Sequence, residues 1–527
     1  MKRYISIITC LFLTHILLYS QEPIVKWGEP IDPPANPYSK IQKLMNTGEQ
    51  GFFYAYRKTT DVRTQETYLL DKYDSSYKLV FSKEIPAAEG VMGDGIDFRN
   101  ILPLKDRLLA FYTGYKKASK ESYFIARNVS VNGDVDKTNI KLESLTVEKQ
   151  MNSGNFDVVV SPDQSKLLLL TTFPTVKDQK AKIRLKVFDT QTMKELWVKE
   201  TDLSFDSKKG SCYDLLVDNI GNAYVIEKYN NENRKYDFNL CTYSVASGEW
   251  KENFLNMDEK VISEQYRLMF NAKGDVIYAG LLLTKSTVTY AGLFYVRVNG
   301  KTQAVEAVTK MGFGDPNNKE KEDETFAYWK LKDIVSQSNG NILIFGEKED
   351  VTNIPPTVPG SFDYTYKYQT RDIKIASIKP DGTKAWIKTI WKYETCTVSD
   401  LYKRWDSFIY GFVNDRLYIL YNNLEAVNHI DITTGISFGW KENDGTVYHL
   451  KNFVSRTLRP TFLYIVEPNG DLTYGDRKYG LPLFNFQKGI FYDMNLNAAL
   501  FQPLPDGILM MDEMPDGKKY QFGKIIF

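Results

Sequence analysis

Along most of this chain, short apolar runs alternate with turn residues in one recurring order. The unit is an apolar strand, a turn of Asn, Asp or Gly, and a second, more hydrophobic strand. A longer excursion follows, then a third strand and often a fourth. The pattern is plainest at Asp157–Leu170, Asp214–Val225, Arg267–Tyr278 and Asp333–Ile344. Weaker copies stand at Leu44–Tyr54, Asn100–Leu109, Phe408–Tyr418 and Leu500–Leu509. Asn-Gly and Asp-Gly turns accept the positive φ of tight hairpins, so each copy predicts a strand–turn–strand unit. No stretch between the copies sustains a helical period.

The period selects the architecture. The inner turns fall near Gly51, Asp106, Asp163, Gly221, Gly274, Gly340, Asp415 and Gly507, typically about 50–60 residues apart before loops lengthen. Four-stranded propeller blades run about 40–50 residues, and helical repeats are usually shorter. A second turn, closed by an apolar or aromatic strand, recurs at Phe188–Trp197, Tyr243–Trp250 and Ile378–Trp386. The last copy offers three strands, near Phe501, Ile508–Met511 and Tyr520–Phe527. A strand around Ile24–Glu29 is expected to supply the fourth and close the ring, because closure removes open sheet edges. The expectation is an all-β chain: one β-propeller of about eight four-stranded blades. Seven blades result if one weak copy is an insertion, and an array of β-sandwiches would give less regular copies.

These residues resemble the β-propeller superfamily over nearly the whole chain. The turn-plus-Trp endings at Trp197, Trp250 and Trp386 are similar to repeats of pyrroloquinoline-quinone enzymes and of bacterial outer-membrane assembly propellers. Kinship with quinoprotein dehydrogenases would imply a vicinal cysteine pair and an acidic calcium set. No two cysteines are adjacent here, and no acidic set with that spacing stands out. The Gly-His and Trp-Asp repeats of WD40 proteins are missing, Trp405-Asp406 being a single occurrence.

The ends and the composition narrow the setting. Lys2 and Arg3 precede an apolar run from Ile5 to Leu18, and Ser20-Gln21 offers a cleavage point, which reads as a signal peptide over residues 1–20. Residues 21–527 would then form the propeller, exported to the periplasm, the outer membrane or the medium. No later run is apolar for the roughly 20 residues a membrane-spanning helix needs. The 67 basic and 66 acidic residues leave a net charge of +1, which speaks against a nucleic-acid partner. Beyond Cys10 the chain has Cys212, Cys241 and Cys396, with no CxxC spacing, and no metal or redox centre is expected. Cys212 and Cys241 would lie on the first and third strands of one blade, roughly 9–10 Å apart. That is too far for a disulfide. His429 and His449 are the only histidines beyond the signal, and no HExxH spacing is present.

Two sets of residues stand out. Asn100, Asp157, Asp214, Arg267 and Asp333 open the inner strand of successive copies, near one mouth of the channel. They could ring a ligand, or they could satisfy backbone groups at a crowded centre. Repetition favours the second role, since a scaffold keeps symmetry and a site breaks it. The other set lies in an insertion at 351–372, where Phe362, Tyr364, Tyr366 and Tyr368 alternate along an extended segment and so share one side. Further insertions are expected at 312–324 and 422–459. The resulting expectation is a monomeric, non-catalytic module binding a glycan, peptide or protein without a cofactor. The alternative is a carbohydrate- or quinone-active enzyme using channel carboxylates.

Overall fold

The computed structural model describes residues 23–32, 39–46, 53–59, 67–86, 88–89, 95–230, 236–255, 261–283, 289–314, 326–356, 365–398, 407–422, 438–441, 447–450, 461–476, 480–483, 500–513 and 519–527. The proposed signal peptide, residues 315–324 of the insertion expected at 312–324, most of that expected at 422–459, Phe362, Tyr364 and His429 lie outside them.

The strands form eight four-stranded antiparallel meanders in chain order. Sheet 1 contains Ser39–Met45, Phe53–Thr59, Thr67–Tyr73 and Leu79–Ile85, and sheet 2 contains Ile96–Pro103, Leu108–Lys116, Glu121–Val129 and Ile140–Thr146. Sheet 3 spans Asn155–Val160 to Glu195–Asp206, and sheet 4 spans Gly210–Val217 to Trp250–Phe254. Sheet 5 runs from Val261–Phe270 to Val305–Met311, and sheet 6 from Trp329–Ser336 to Lys384–Val398. Sheet 7 takes Phe408–Val413, Arg416–Asn422, Thr461–Val466 and Leu472–Thr473. Sheet 8 takes Phe501–Leu504, Gly507–Glu513 and Tyr520–Ile526, and its fourth strand is Ile24–Trp27 from the other end of the chain. The architecture is that of an eight-bladed β-propeller.

The second strands explain why one run in each copy is so apolar. Lys166–Thr172 carries four consecutive leucines, all exposed by 1% or less. Leu168 and Leu170 pack toward sheet 4, while Leu167 and Leu169 pack toward sheet 2. A strand covered on both faces has no polar face to show, so alternation disappears. Each such leucine contributes roughly 1.5–3 kcal/mol of gross burial. The fourth strand of the same sheet, Glu195–Asp206, has only one neighbouring strand and is largely exposed or half-buried.

Hydrophobic contact passes from each sheet to the next, and Phe53, Ala55 and Tyr73 of sheet 1 pack with Leu509, Met511 and Phe522 of sheet 8. First strands lie against first strands between sheets 3 and 4, 4 and 5, 5 and 6, 7 and 8, and 8 and 1, which makes them the innermost strands. Each runs from what we call the upper face to a tight turn on the lower face. Gly221 and Gly340 occupy those turns at φ 103° and 91°, and Asn414-Asp415 forms a two-residue turn with both residues at positive φ.

The tryptophans that close the second turns join sheets. Trp197 Nε1 donates to Gly221 O of the next sheet at 3.2 Å. The ring of Trp386 lies so close to Gly470 of sheet 7 that a β-carbon there would stand 2.6 Å from it.

Candidate functional site

The recurring polar position sits where the inner strand slips its register. One extra residue precedes Asn100, Asp214 and Asp333 in their pairing with the second strand. Such a bulge turns an amide out of the ladder. In each case the side chain takes up that amide: Asn100 Oδ1 accepts from Ile101 N at 2.8 Å, Asp214 Oδ1 from Leu215 N at 2.9 Å, and Asp333 Oδ1 from Ile334 N at 2.6 Å. Sheet 3 has no slip, and Asp157 Oδ2 instead accepts from Asn155 Nδ2 at 2.7 Å.

Arg267 breaks the acidic series and pairs across sheets with Asp333 at 2.5 Å. Tyr410 of sheet 7 donates its hydroxyl to the other oxygen of Asp333. One carboxylate thus ties three inner strands together. Burial raises the pKa of Asp157, Asp214 and Asp333, and the nearby guanidinium groups, Arg99 for Asp157 and Arg267 for the other two, oppose the rise. The Lys332 ammonium lies over the rings of Phe408 and Phe501 at 5.2 and 5.1 Å. Tyr410 and Phe501 are the counterparts of Asp333 in sheets 7 and 8, three residues before the last paired residue of the inner strand. Sequence reading passed over them because they are aromatic, although that count finds them. No group of three or more His, Cys, Asp or Glu among the described residues is placed to hold a metal ion.

The described part of the insertion at 351–372, residues 351–356 and 365–372, lies at the far end of paired strands in sheet 6. The second strand continues to Ile354, pairing Val351 with Tyr368 and Asn353 with Tyr366. The fourth strand follows to Val398, pairing Cys396 with Tyr368. The result is a three-stranded tongue on the upper face. Tyr366 and Tyr368 share a side, as alternation requires, but Tyr368 is 5% exposed and packs with Cys396 and Tyr366. Its ring belongs to the core of the tongue and not to an open platform. Cys212, Cys241 and Cys396 are not disulfide-bonded, and the first two lie on the first and third strands of sheet 4.

A cavity of about 520 Å³ opens at the junction of sheets 5 and 6 on the upper face. The starts of the two inner strands form its floor, and Gln265 fastens them: its amide nitrogen donates to Trp329 O at 2.9 Å and to the Tyr290 hydroxyl, and its oxygen accepts from Leu331 N at 2.6 Å. Tyr328 stands at the wall, 52% exposed, with φ 59°. A bulky residue in the left-handed region is strained. Its carbonyl is held there by Glu349 N at 2.8 Å. Four of the five charges on the walls are ion-paired, Lys330 with Glu349 at 3.1 Å, Glu264 with Lys228 at 2.9 Å and Arg267 with Asp333, and the fifth, Lys332, lies over the rings of Phe408 and Phe501. The cavity therefore combines phenol rings with balanced donors and acceptors, and Glu349 lies on the strand that continues into the tongue.

No family model matches the chain, and no curated protein matches it. Among solved structures, the chain is similar to the β-propeller domain of the Trilobed protease from Pyrococcus furiosus at 9% identity, covering 70% of this chain and 100% of that one, with a TM-score of 0.33. It is similar to an α-L-arabinanase of Penicillium chrysogenum complexed with arabinobiose at 8% identity, covering 70% and 98%, TM-score 0.33. A polysaccharide lyase aligns at 10% identity over 95% and 99%, TM-score 0.33. The assignment of architecture rests on strand order and register.

Proposed function

We propose that this chain is an exported, non-catalytic β-propeller that binds a glycan or peptide on its upper face, in the cavity between sheets 5 and 6. The observation that carries this reading is Tyr328. A half-exposed aromatic residue is kept at φ 59° beside a preformed cavity, where glycine would cost less. Strained backbone gathers at ligand clamps, and of the eleven described non-glycine residues at positive φ, Tyr328 is the one that lines this cavity. The carboxylates at the centre support a scaffold role: Asp333 is saturated by partners from three sheets, and Asp214 and Asn100 serve their own strands.

Substitution Tyr328→Gly separates binding from folding. It relieves backbone strain, so the melting temperature should hold or rise. Removal of the ring should weaken ligand binding about tenfold, equivalent to ~1.4 kcal/mol. The measurement is titration of wild-type and variant protein against a panel of oligosaccharides and peptides. Unchanged affinity for every bound ligand would refute the site. Asp214→Asn should leave the same affinities intact; turnover of a panel member, lost in that variant, would favour the enzyme alternative.

A further inference from the structure

A second cavity of the same chemical character lies on the same face, at the junction of sheets 2 and 3, with a volume of about 760 Å³. It is framed by the end of the fourth strand of sheet 2 and by the hairpin loop Phe173–Gln179 of sheet 3. That loop is pinned from both sides. Asn152 Nδ2 donates to Thr175 O and Thr175 N donates to Asn152 Oδ1, both at 2.9 Å. Ser207 Oγ donates to Val176 O at 2.7 Å and accepts from Val176 N at 3.1 Å. Two reciprocal locks on one surface loop make the cavity preformed, and a preformed site spends little on ordering when it is filled.

Its chemistry repeats that of the first cavity. Phe173 supplies an aromatic ring, approached by Lys182 and Arg184 at 5.2 and 5.0 Å. The cations again face carboxylates: Lys182 and Arg184 share Glu200 at 2.5 and 2.6 Å, Arg184 also reaches Glu143 at 3.0 Å, and Lys120 meets Glu148 at 2.7 Å. Lys149, Lys180 and Asp202 complete the charged part of the walls, and Lys180 faces Asp206 at 3.8 Å. A polyanion would need a large cationic surplus to offset its own charge, and each cavity is lined by only three cations against two carboxylates: Arg267, Lys330 and Lys332 with Glu264 and Glu349 in the first, and Lys149, Lys180 and Lys182 with Glu148 and Asp202 in the second. Paired charges beside an aromatic face suit vicinal hydroxyls, which donate and accept at once, on a ring with an apolar side.

We infer that the two cavities are separate subsites for one uncharged polysaccharide chain, held across the upper face from the junction of sheets 2 and 3 to that of sheets 5 and 6. This rests on the binding role proposed above. Tethering through the first subsite makes the second encounter intramolecular, and such linkage can raise avidity by roughly 10²–10⁴.

The test measures affinity for neutral xylan, mannan and β-glucan and for their size-graded oligomers, with polygalacturonate as the anionic control. Wild-type affinity should rise in a step once oligomers become long enough to reach both cavities. Phe173→Ala should abolish that step, lowering polymer affinity at least tenfold while short-oligomer binding at the first cavity stays constant. Tyr328→Gly should weaken short and long ligands alike. Raising salt from 50 to 500 mM should change polymer affinity less than twofold. Polymer binding unaffected by Phe173→Ala overturns the second subsite alone. Polymer binding lost in Phe173→Ala but untouched by Tyr328→Gly overturns the first cavity instead. Preference for polygalacturonate, or steep salt dependence, overturns the neutral-chain assignment.

Discussion

At the scale of the single residue, the polar groups inside the sheets show how burial sets chemistry. Glu227, on the second strand of sheet 4, is 0% exposed. Its Oε2 accepts from Asn239 Nδ2 at 2.9 Å, while Oε1 is buried without a partner among the described residues. Burial, with a smaller push from Glu252, raises its pKa to about 7, against the pull of Asn239 and the Cys241 thiol. An acid whose folded pKa lies above its unfolded value stabilises the fold most below the unfolded value, near 4.5. That stability is lost as pH rises toward 7. The loss is on the order of 3 kcal/mol, at 1.36 kcal/mol per pKa unit. Glu227→Gln keeps the shape and removes the titration. The variant should match wild type in urea midpoint near pH 4.5 and exceed it increasingly up to pH 8. Parallel pH profiles for the two proteins would mean that Glu227 does not titrate in this window.

At the scale of the element, the sequence showed where strands turn but not how far they extend or where they slip. Gly221, Gly274 and Gly340 mark hairpins because their φ values of 103°, 82° and 91° suit glycine, and that preference is local enough to read from the chain. The bulges before Asn100, Asp214 and Asp333 leave no residue-type mark, since what defines them is a count against the partner strand. Alternation placed Tyr366 and Tyr368 on one side correctly, yet what covers that side is decided by the neighbouring strand that carries Cys396. Trp386 shows the same limit: its position was legible, its partner was not. Gly470 sits at φ 90° against that ring, so Gly470→Ala should cost about 2–3 kcal/mol, part backbone strain and part overlap. In a Trp386→Ala background the overlap vanishes, and the same substitution should cost only about 1 kcal/mol. A double-mutant cycle on urea midpoints measures the difference, and additive costs would show that the two residues do not press on each other.

At the scale of the whole molecule, eight turns read from the sequence correspond to eight sheets, because a repeated unit repeats its local signals as well as its fold. The cavities escaped such reading because each is made by two sheets: Gln265 and Tyr328 matter only once the starts of the inner strands of sheets 5 and 6 lie side by side. The same dependence on distant partners governs sheet 8, whose outermost strand comes from the opposite end of the chain. Ile24–Trp27 pairs residue by residue with Gly523–Ile526, and the Trp27 ring packs where a β-carbon on Gly523 would come within 2.5 Å. Val25 and Trp27 are only partly buried against that core. Trp27→Ala should therefore cost about 2 kcal/mol, below the ~3–5 kcal/mol of a fully buried tryptophan. Deleting residues 24–27 should do more than remove that burial. It would bare the backbone donors and acceptors of Gly523–Ile526, an edge available for pairing with a second chain. The truncated protein should melt lower than Trp27→Ala and shift toward dimers or larger species in size-exclusion chromatography. Both effects should reverse on adding a peptide of residues 23–30. A truncated protein that stays monomeric and melts with Trp27→Ala would show that the strand contributes its tryptophan and nothing as an edge.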